Sequence, residues 1–581
     1  MNVMKYLRAA IIVVLVLSLC SLGSVSQTSA QVQVIGPPLI PQPGKPGGSL
    51  TFALPSAPPT LNPLFSINPI TELTLSPLIR INRIARKIEP ALAASYTLSP
   101  DGKSVTFHLR QGLEWSDGAP FTADDVVFSF GLYLNPNLQT ILGLPAQIKQ
   151  QFRIEKLDES TVKISAPGPI PLDQLALIEI LPQHLLGSVP INRLKQTWTL
   201  DTPLDKLAGL GPFHISQIVR TGFIFKTTEK IVLAKNPHFW QVDQQGQSLP
   251  YLDQLTIRFV KDGNQALELF KKGETDLQVL TYIVSLTKAM AQLQSAGFPV
   301  LRTAPALPFM LIFNQDDPKL GAVFRDPRFR QAVNLAINRA QLAAQLSGGL
   351  AFPDFSFIRR LSLFYDPDHL IPDVNLAQAK VLLDQMGLKT GSNGIREFNG
   401  QPLRFELFTV QGSKTFAAVG QYLEQALKQV GLAVELKPIP NREYGAAFSR
   451  PAHFQAAMFH PGESYDPSPS FNIFYSQSDE HFYRFSDIDK KPAELSATQR
   501  KLDTLIQQLN GLFLTLEGKK QIISQIEQIL VEDLPIIPLA RDPFLVAVRK
   551  DLHNVQNLVP DDITWDTPLP EALAYVWRET P

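Results

Sequence analysis

The chain has 581 residues, 44% of them hydrophobic and 18% charged, with Lys plus Arg equal to Asp plus Glu at 53 each. That length asks for two or three lobes instead of one small core, and the composition excludes a disordered chain. The charge balance gives no field of one sign to hold nucleic acid.

Residues 1–30 have the layout of an export signal. Lys5 and Arg8 precede an apolar run from Ala9 to Leu19, and Thr28-Ser29-Ala30 offers a small-residue cleavage site. The run is shorter than the roughly 20 residues a membrane span needs, so an exported chain cleaved after Ala30 is expected. The single cysteine, Cys20, follows Leu19, where a lipoprotein signal wants a small residue; a membrane tether through Cys20 is the alternative. Beyond Ala30 there is no cysteine for disulfides, thiol catalysis or zinc. Residues 31–48, with GPPLIPQPGKPGG at 36–48, read as a stiff linker that holds the body away from the cleavage site.

The stretch WSDGAPFTADDVVFSF, 115–130, writes a turn, a cap and a buried helix in order. Asp117-Gly118 is turn chemistry. Thr122 stands three residues before Asp125, a capping box, and Asp124 and Asp125 sit where the helix dipole favours negative charge. The aspartates are therefore expected to be structural. Further on, Asp326-Pro327 reads as N-cap and first residue of a helix with Phe329, Val333, Ala336 and Ile337 inside. Ala379, Leu382, Leu383 and Met386 form a helical stripe ending at Gly387.

Leu403, Phe405 and Leu407 alternate like a half-buried strand, and Val419, Leu423, Ala426, Leu427 and Val430 mark a helix that stops at Gly431. Strand alternation resumes at Val434 and Leu436, a βαβ-like unit that predicts an α/β lobe. Ile522, Ile526, Ile529 and Leu530 give a last helix before Pro535.

Catalytic motifs are missing from this order. There is no phosphate loop, no Gly-x-Ser-x-Gly elbow and no His-Glu-x-x-His helix. The nine histidines are scattered, and His453 and His460 have no carboxylate between them, a poor metal signature. Neither an enzyme, a metal nor a cofactor is expected.

A longer run, EPALAASYTLSPDGKSVTFHLRQGLEWSDGAPFTADDVVFSF (89–130), resembles the signature of extracytoplasmic solute-binding proteins serving ABC importers of oligopeptides, dipeptides and nickel, family 5. The likeness continues through LPQHLLGS (181–188), GLGPFHI (209–215), AKNPHFW (234–240), LPYLDQLTIRF (249–259), KKGETDL (271–277), FRDPRFRQAVNLAINR (324–339) and VEDLPIIPLA (531–540), across nearly the whole mature chain. The resemblance implies a bilobal α/β clamp with hinge strands and an extra subdomain on the first lobe. Carried over, lobe I comprises 49–90, 208–305 and 540–581, the subdomain 91–207, and lobe II 306–539.

It also implies a monomeric, non-catalytic receptor in the periplasm or at the outer face of the membrane. That receptor closes on a peptide and delivers it to an ABC permease. In peptide-binding members an aspartate in a Trp-x-x-Asp-x-x-Asp-Pro-like stretch holds the ligand's ammonium; here FHPGESYDPSPSF (459–471) puts Glu463 at that position and His460 in place of the tryptophan, and keeps Asp466-Pro467. Ser66, Ile67 and Asn68 fall where lobe I lines the cleft. Lys414 is the nearest cation where dipeptide binders place an arginine. The alternatives are another solute (a nickel chelate, an oligosaccharide or an opine-like amine), an exported peptidase, or a signalling receptor.

Overall fold

The computed structural model describes residues 33–34, 41–82, 85–142, 146–222, 227–280, 286–346, 349–360, 362–461, 466–511, 513–558 and 570–579. The export segment 1–30, with Cys20, and Glu463 lie outside them.

Two long strands, Val300–Phe313 and Ile536–Val548, pair antiparallel from Val300 opposite Ala547 to Ile312 opposite Ile536, and they tie the molecule's halves together. On one flank of this pair the sheet continues through Leu277–Val279, Ser49–Leu54, Gln254–Phe259, Thr227–Lys235 and Phe213–Thr221. On the other flank it continues through Ala456–Phe459, Arg404–Val410 and Ala433–Ile439. One sheet therefore runs through both lobes of an α/β fold.

The strand pleat explains the layering of the second lobe. Side chains alternate between faces with period two. Phe309, Leu311 and Phe313 join the core that holds Val333 and Leu423, of the helices Pro327–Ala336 and Lys414–Lys428. Met310 and Ile312 join the opposite core with Ile506, of Ala497–Leu509, and Ile526, of Leu516–Asp533. The partner strand obeys the same rule, with Ile537 and Leu539 on the first face and Ile536 on the second. Helices thus cover both faces of this half-sheet.

The expected βαβ unit is present: Arg404–Val410 and Ala433–Ile439 are parallel, from Arg404 opposite Ala433 to Val410 opposite Ile439, with the helix Lys414–Lys428 between. The expected alternation holds from Leu403 to Leu407, with Arg404 exposed between buried neighbours. Beyond it, Thr409 is buried on the same face as Phe405 and Leu407, and Phe408 is buried on the other, because this strand lies between two others and helices cover both faces. Asp326 caps the helix that begins at Pro327, as its sequence predicts, with its side chain accepting from the Arg328 amide.

The first lobe shares one of its cores with a four-stranded antiparallel sheet of Ala93–Leu98, Ser104–Leu109, Thr161–Ser165 and Arg153–Asp158. Phe52 and Leu255 of the main sheet belong to the same cluster as Phe107, Trp115, Phe130 and Ile164. Thr122 and Asp125 form the capping box of Ala123–Tyr133. Buried Asp125 also accepts from the Gln183 amide at 2.9 Å and from Trp115 Nε1 at 3.4 Å. Gly118, with φ of 86°, supplies the turn before the cap.

The proline-rich stretch does not stand away from the body where it is described. The Gln42 amide donates to Asn554 Oδ1 at 3.1 Å, and Asn554 Nδ2 donates to the Gln42 carbonyl at 2.7 Å. The Gly47 amide then donates to the Tyr251 carbonyl at 2.8 Å. Residues 42–47 are docked along lobe I, not held off as a spacer, because their backbone groups find fixed partners there.

Candidate functional site

The second lobe presents His460 at the end of the strand Ala456–Phe459. Its residue surface remains exposed, yet protein packs closely around the ring. Nδ1 lies 2.9 Å from the Pro308 carbonyl oxygen, and the Phe309 and Phe416 centroids lie 3.7 and 5.8 Å from its own. This desolvation pushes the imidazole pKa down to about 4, with the Pro308 carbonyl pulling weakly the other way. The ring is therefore neutral at pH 7. A carbonyl can only accept, so Nδ1 carries the proton and Nε2 is left as an acceptor. Nε2 makes no hydrogen bond among the described residues.

Lys414 opens the helix Lys414–Lys428, whose N-cap is Ser413, and it is exposed. The same helix supplies Phe416 to the His460 ring. Sequence-distant positions are thus gathered on one wall by the end of a βα unit, where an open α/β sheet ordinarily places ligands.

On the first lobe, Ile67 lines a cavity of about 110 Å³ with Glu72, Arg80, Glu179 and Trp240. Against roughly 10–15 Å³ for one water centre, that is room for several waters or a small side chain. Arg80 is held by Glu89, its Nε 2.9 Å from Oε1, and Arg110 stacks over the Trp240 ring at 4.3 Å. Asn68 is the N-cap of Pro69–Thr74: its Oδ1 accepts from the amides of Ile70 and Thr71, and its Nδ2 donates to the Thr60 carbonyl. Its amide group is thus engaged in holding the turn that presents Ser66 and Ile67. Among the described residues no hydrogen bond or ring contact links Ser66–Asn68 to His460.

Asp466 is tied to Ser468, whose hydroxyl donates to Oδ1 at 2.6 Å, and to Lys519. Lys519 also donates to Asp173 Oδ2 at 2.8 Å. Its two carboxylate partners hold its pKa above the ordinary lysine value despite the opposing desolvation. Sequence reasoning did not find Asp173, Lys519, Glu72 or Glu179. Trp240 closes the quoted run AKNPHFW but was not singled out. For Lys519 one signal was available: a lysine in the first turn of Leu516–Asp533 opposes the helix dipole and so asks for a carboxylate. Which one, the sequence could not say.

No helix among the described residues is long and apolar enough to cross a membrane. A model of the bacterial extracellular solute-binding proteins, family 5, middle region, matches residues 87–482. A curated relative, the "Probable ABC transporter-binding protein" of Deinococcus radiodurans, is 29% identical over 406 residues, 65% of this chain and 66% of the relative, just under two thirds of its length. The oligopeptide-binding protein AppA of Bacillus subtilis is 24% identical over 578 residues, covering 95% of this chain and 97% of AppA. Among solved structures, an oligopeptide-binding protein OppA superposes with a TM-score of 0.72 at 24% identity, over 93% of this chain and 92% of that one. This likeness shows the shared fold.

Proposed function

We propose that this chain, which belongs to the bacterial extracellular solute-binding proteins of family 5, captures peptides between its two lobes and delivers them to an ABC permease. The observation that carries the reading is the strand pair Val300–Phe313 and Ile536–Val548, which joins two separately cored halves. Such a joint lets the halves swing as rigid bodies. The names of the relatives, one an oligopeptide-binding protein and one an ABC transporter-binding protein, support the peptide and the permease.

In this reading lobe I comprises 49–90, 208–305 and 540–581, the subdomain 91–207, and lobe II 306–539. Ligand contacts from both walls exist only when the lobes are together, so binding shifts the population toward closure and the permease reads closure as occupancy. No bond is made or broken. A peptide brings an ammonium and a row of N–H donors. The neutral His460 suits both: it puts no positive charge beside an ammonium, and its Nε2 is an acceptor without a partner among the described residues. Glu463 supplies the counter-charge for the ammonium, Ser66 and Ile67 face the ligand from lobe I, and Lys414 offers a point charge to its carboxylate.

Glu463→Gln is expected to weaken peptide binding by about tenfold or more, since removing one partner of a buried pair costs about 3–5 kcal/mol. Calorimetry with a peptide that co-purifies, identified by mass spectrometry, reads this directly. Full affinity in the variant removes Glu463 from the site, and a co-purified sugar or metal chelate in place of a peptide overturns the solute class.

A further inference from the structure

Away from the two connecting strands, the lobes meet at a second place. Asp173 belongs to the short helix Leu172–Leu175, which packs into the core shared by lobe I and its subdomain. Lys519 belongs to Leu516–Asp533, which packs into the core of lobe II. At this contact Gly168 approaches Phe513 so closely that an added Cβ would lie 2.5 Å from the Phe513 Cβ, and Phe152 packs against the same ring at 5.8 Å. Lys519 and Asp173 are only 5% and 6% exposed, and the Lys519 ammonium lies 5.2 Å from the centre of the Phe364 ring.

The ion set is asymmetric between the lobes. Lys519 and Asp466 lie on the same lobe, so their pair survives opening. Asp173 comes from the other side, and among the described residues its side chain hydrogen-bonds only to Lys519. Closing therefore brings a second carboxylate onto a cation already held by the first. Without that cation, the same movement would press two carboxylates together in a dry interface. A set of charges buried only on closure adds little net stability, because desolvation offsets the Coulomb gain. What it does fix is the geometry at which closure is tolerated.

We propose that Lys519 is a positioning residue for solute capture: its ammonium, shared by Asp173 of one lobe and Asp466 of the other, latches the lobes at a single closed register. The proposal rests on the two-lobe capture reading and gives it a residue-level device. Asp466 follows Glu463 by three positions, so the latch anchors the chain that leads away from the proposed ammonium site.

The test is the distance between spin labels at Leu157→Cys on the subdomain and Val381→Cys on lobe II, positions that are 55% and 44% exposed, with Cys20→Ser as background. Distances are read by pulsed electron resonance, first without solute and then with a random peptide library in excess. The parent is expected to show a short-distance population. Lys519→Met should lower its ratio to the long-distance one by at least about tenfold, and adding Asp173→Asn to that variant should restore most of it by removing the repulsion. Asp173→Lys, placed where no other side-chain bond is lost, should open the lobes even if Lys519→Met fails to fold. A parent that never shows the short distance, or Lys519→Met and Asp173→Lys proteins that both keep it undiminished, overturns the latch. If the library leaves the parent unchanged while these variants still open it, the peptide reading falls and the latch stands.

Discussion

The contacts of buried Asp125 within Trp115–Phe130 and the ion set around Lys519 both bury polar groups that are well bonded, yet they differ in how far apart their members lie in the chain. Trp115 and Asp125 are ten residues apart, and the Thr122 amide reaches Asp125 Oδ2 at 3.0 Å across a single turn. Lys519 lies 346 residues from Asp173 and 53 from Asp466. The first region is assembled by local geometry and has one arrangement. In the second, the bond from Lys519 to Asp173 exists only while the two lobes touch, so it can be made and broken. Between these two regions, the fixed one rests mainly on neighbours in sequence and the reversible one on neighbours in space.

Several substitutions can break or sharpen this contrast. Trp115→Ala should have the largest effect, destabilising by about 3–5 kcal/mol in urea unfolding through loss of a fully buried ring. The solute affinity of the molecules that remain folded should not change; a shift in that affinity would mean the scaffold reaches the crevice. Asp125→Ala comes next. It strands the buried indole N–H of Trp115 and the part-buried amides of Thr122 and Gln183 and should cost about 2–3 kcal/mol by the same measurement. Thr122→Ala removes the cap alone and should cost about 1 kcal/mol, with Thr122→Ser close to the parent.

A further test is read in pH at His460. The folded His460 pKa is about 4 against an ordinary 6.5, so below 6.5 the unfolded chain takes up a proton that the folded one refuses. His460's share of stability is then complete above pH 6.5 and is lost as pH falls toward 4. His460→Gln should flatten that part of the melting-temperature profile. A His460 proton titration followed by NMR with a midpoint near 6.5 would show instead that solvent reaches the whole ring.

Much of the fold was legible because it is written in short-range terms. The Asp326-Pro327 helix start, the capping box at Thr122 and the βαβ unit from Arg404 to Ile439 each depend on spacings of a few residues. Burial on the second face of Arg404–Val410 was not legible, since Phe408 is covered by elements farther along the chain. The docking of Gln42 on Asn554, 512 residues on, was hidden for the same reason. The candidate site was legible in part. His460 and Lys414 could be named, but not the contact that brings their elements together through Phe416, nor the proton position set by the Pro308 carbonyl.

By itself the sequence determined the elements, their caps and the α/β class, because propensity, turn chemistry and periodicity act over one or two turns. It also carried the family likeness, which is a property of the written order. Only the tertiary structure decided which carboxylate meets Lys519, which ring desolvates His460, and that one sheet runs through both lobes. Those outcomes depend on long-range pairing, where burial strengthens charges that would be screened in water, and no local spacing encodes the partner.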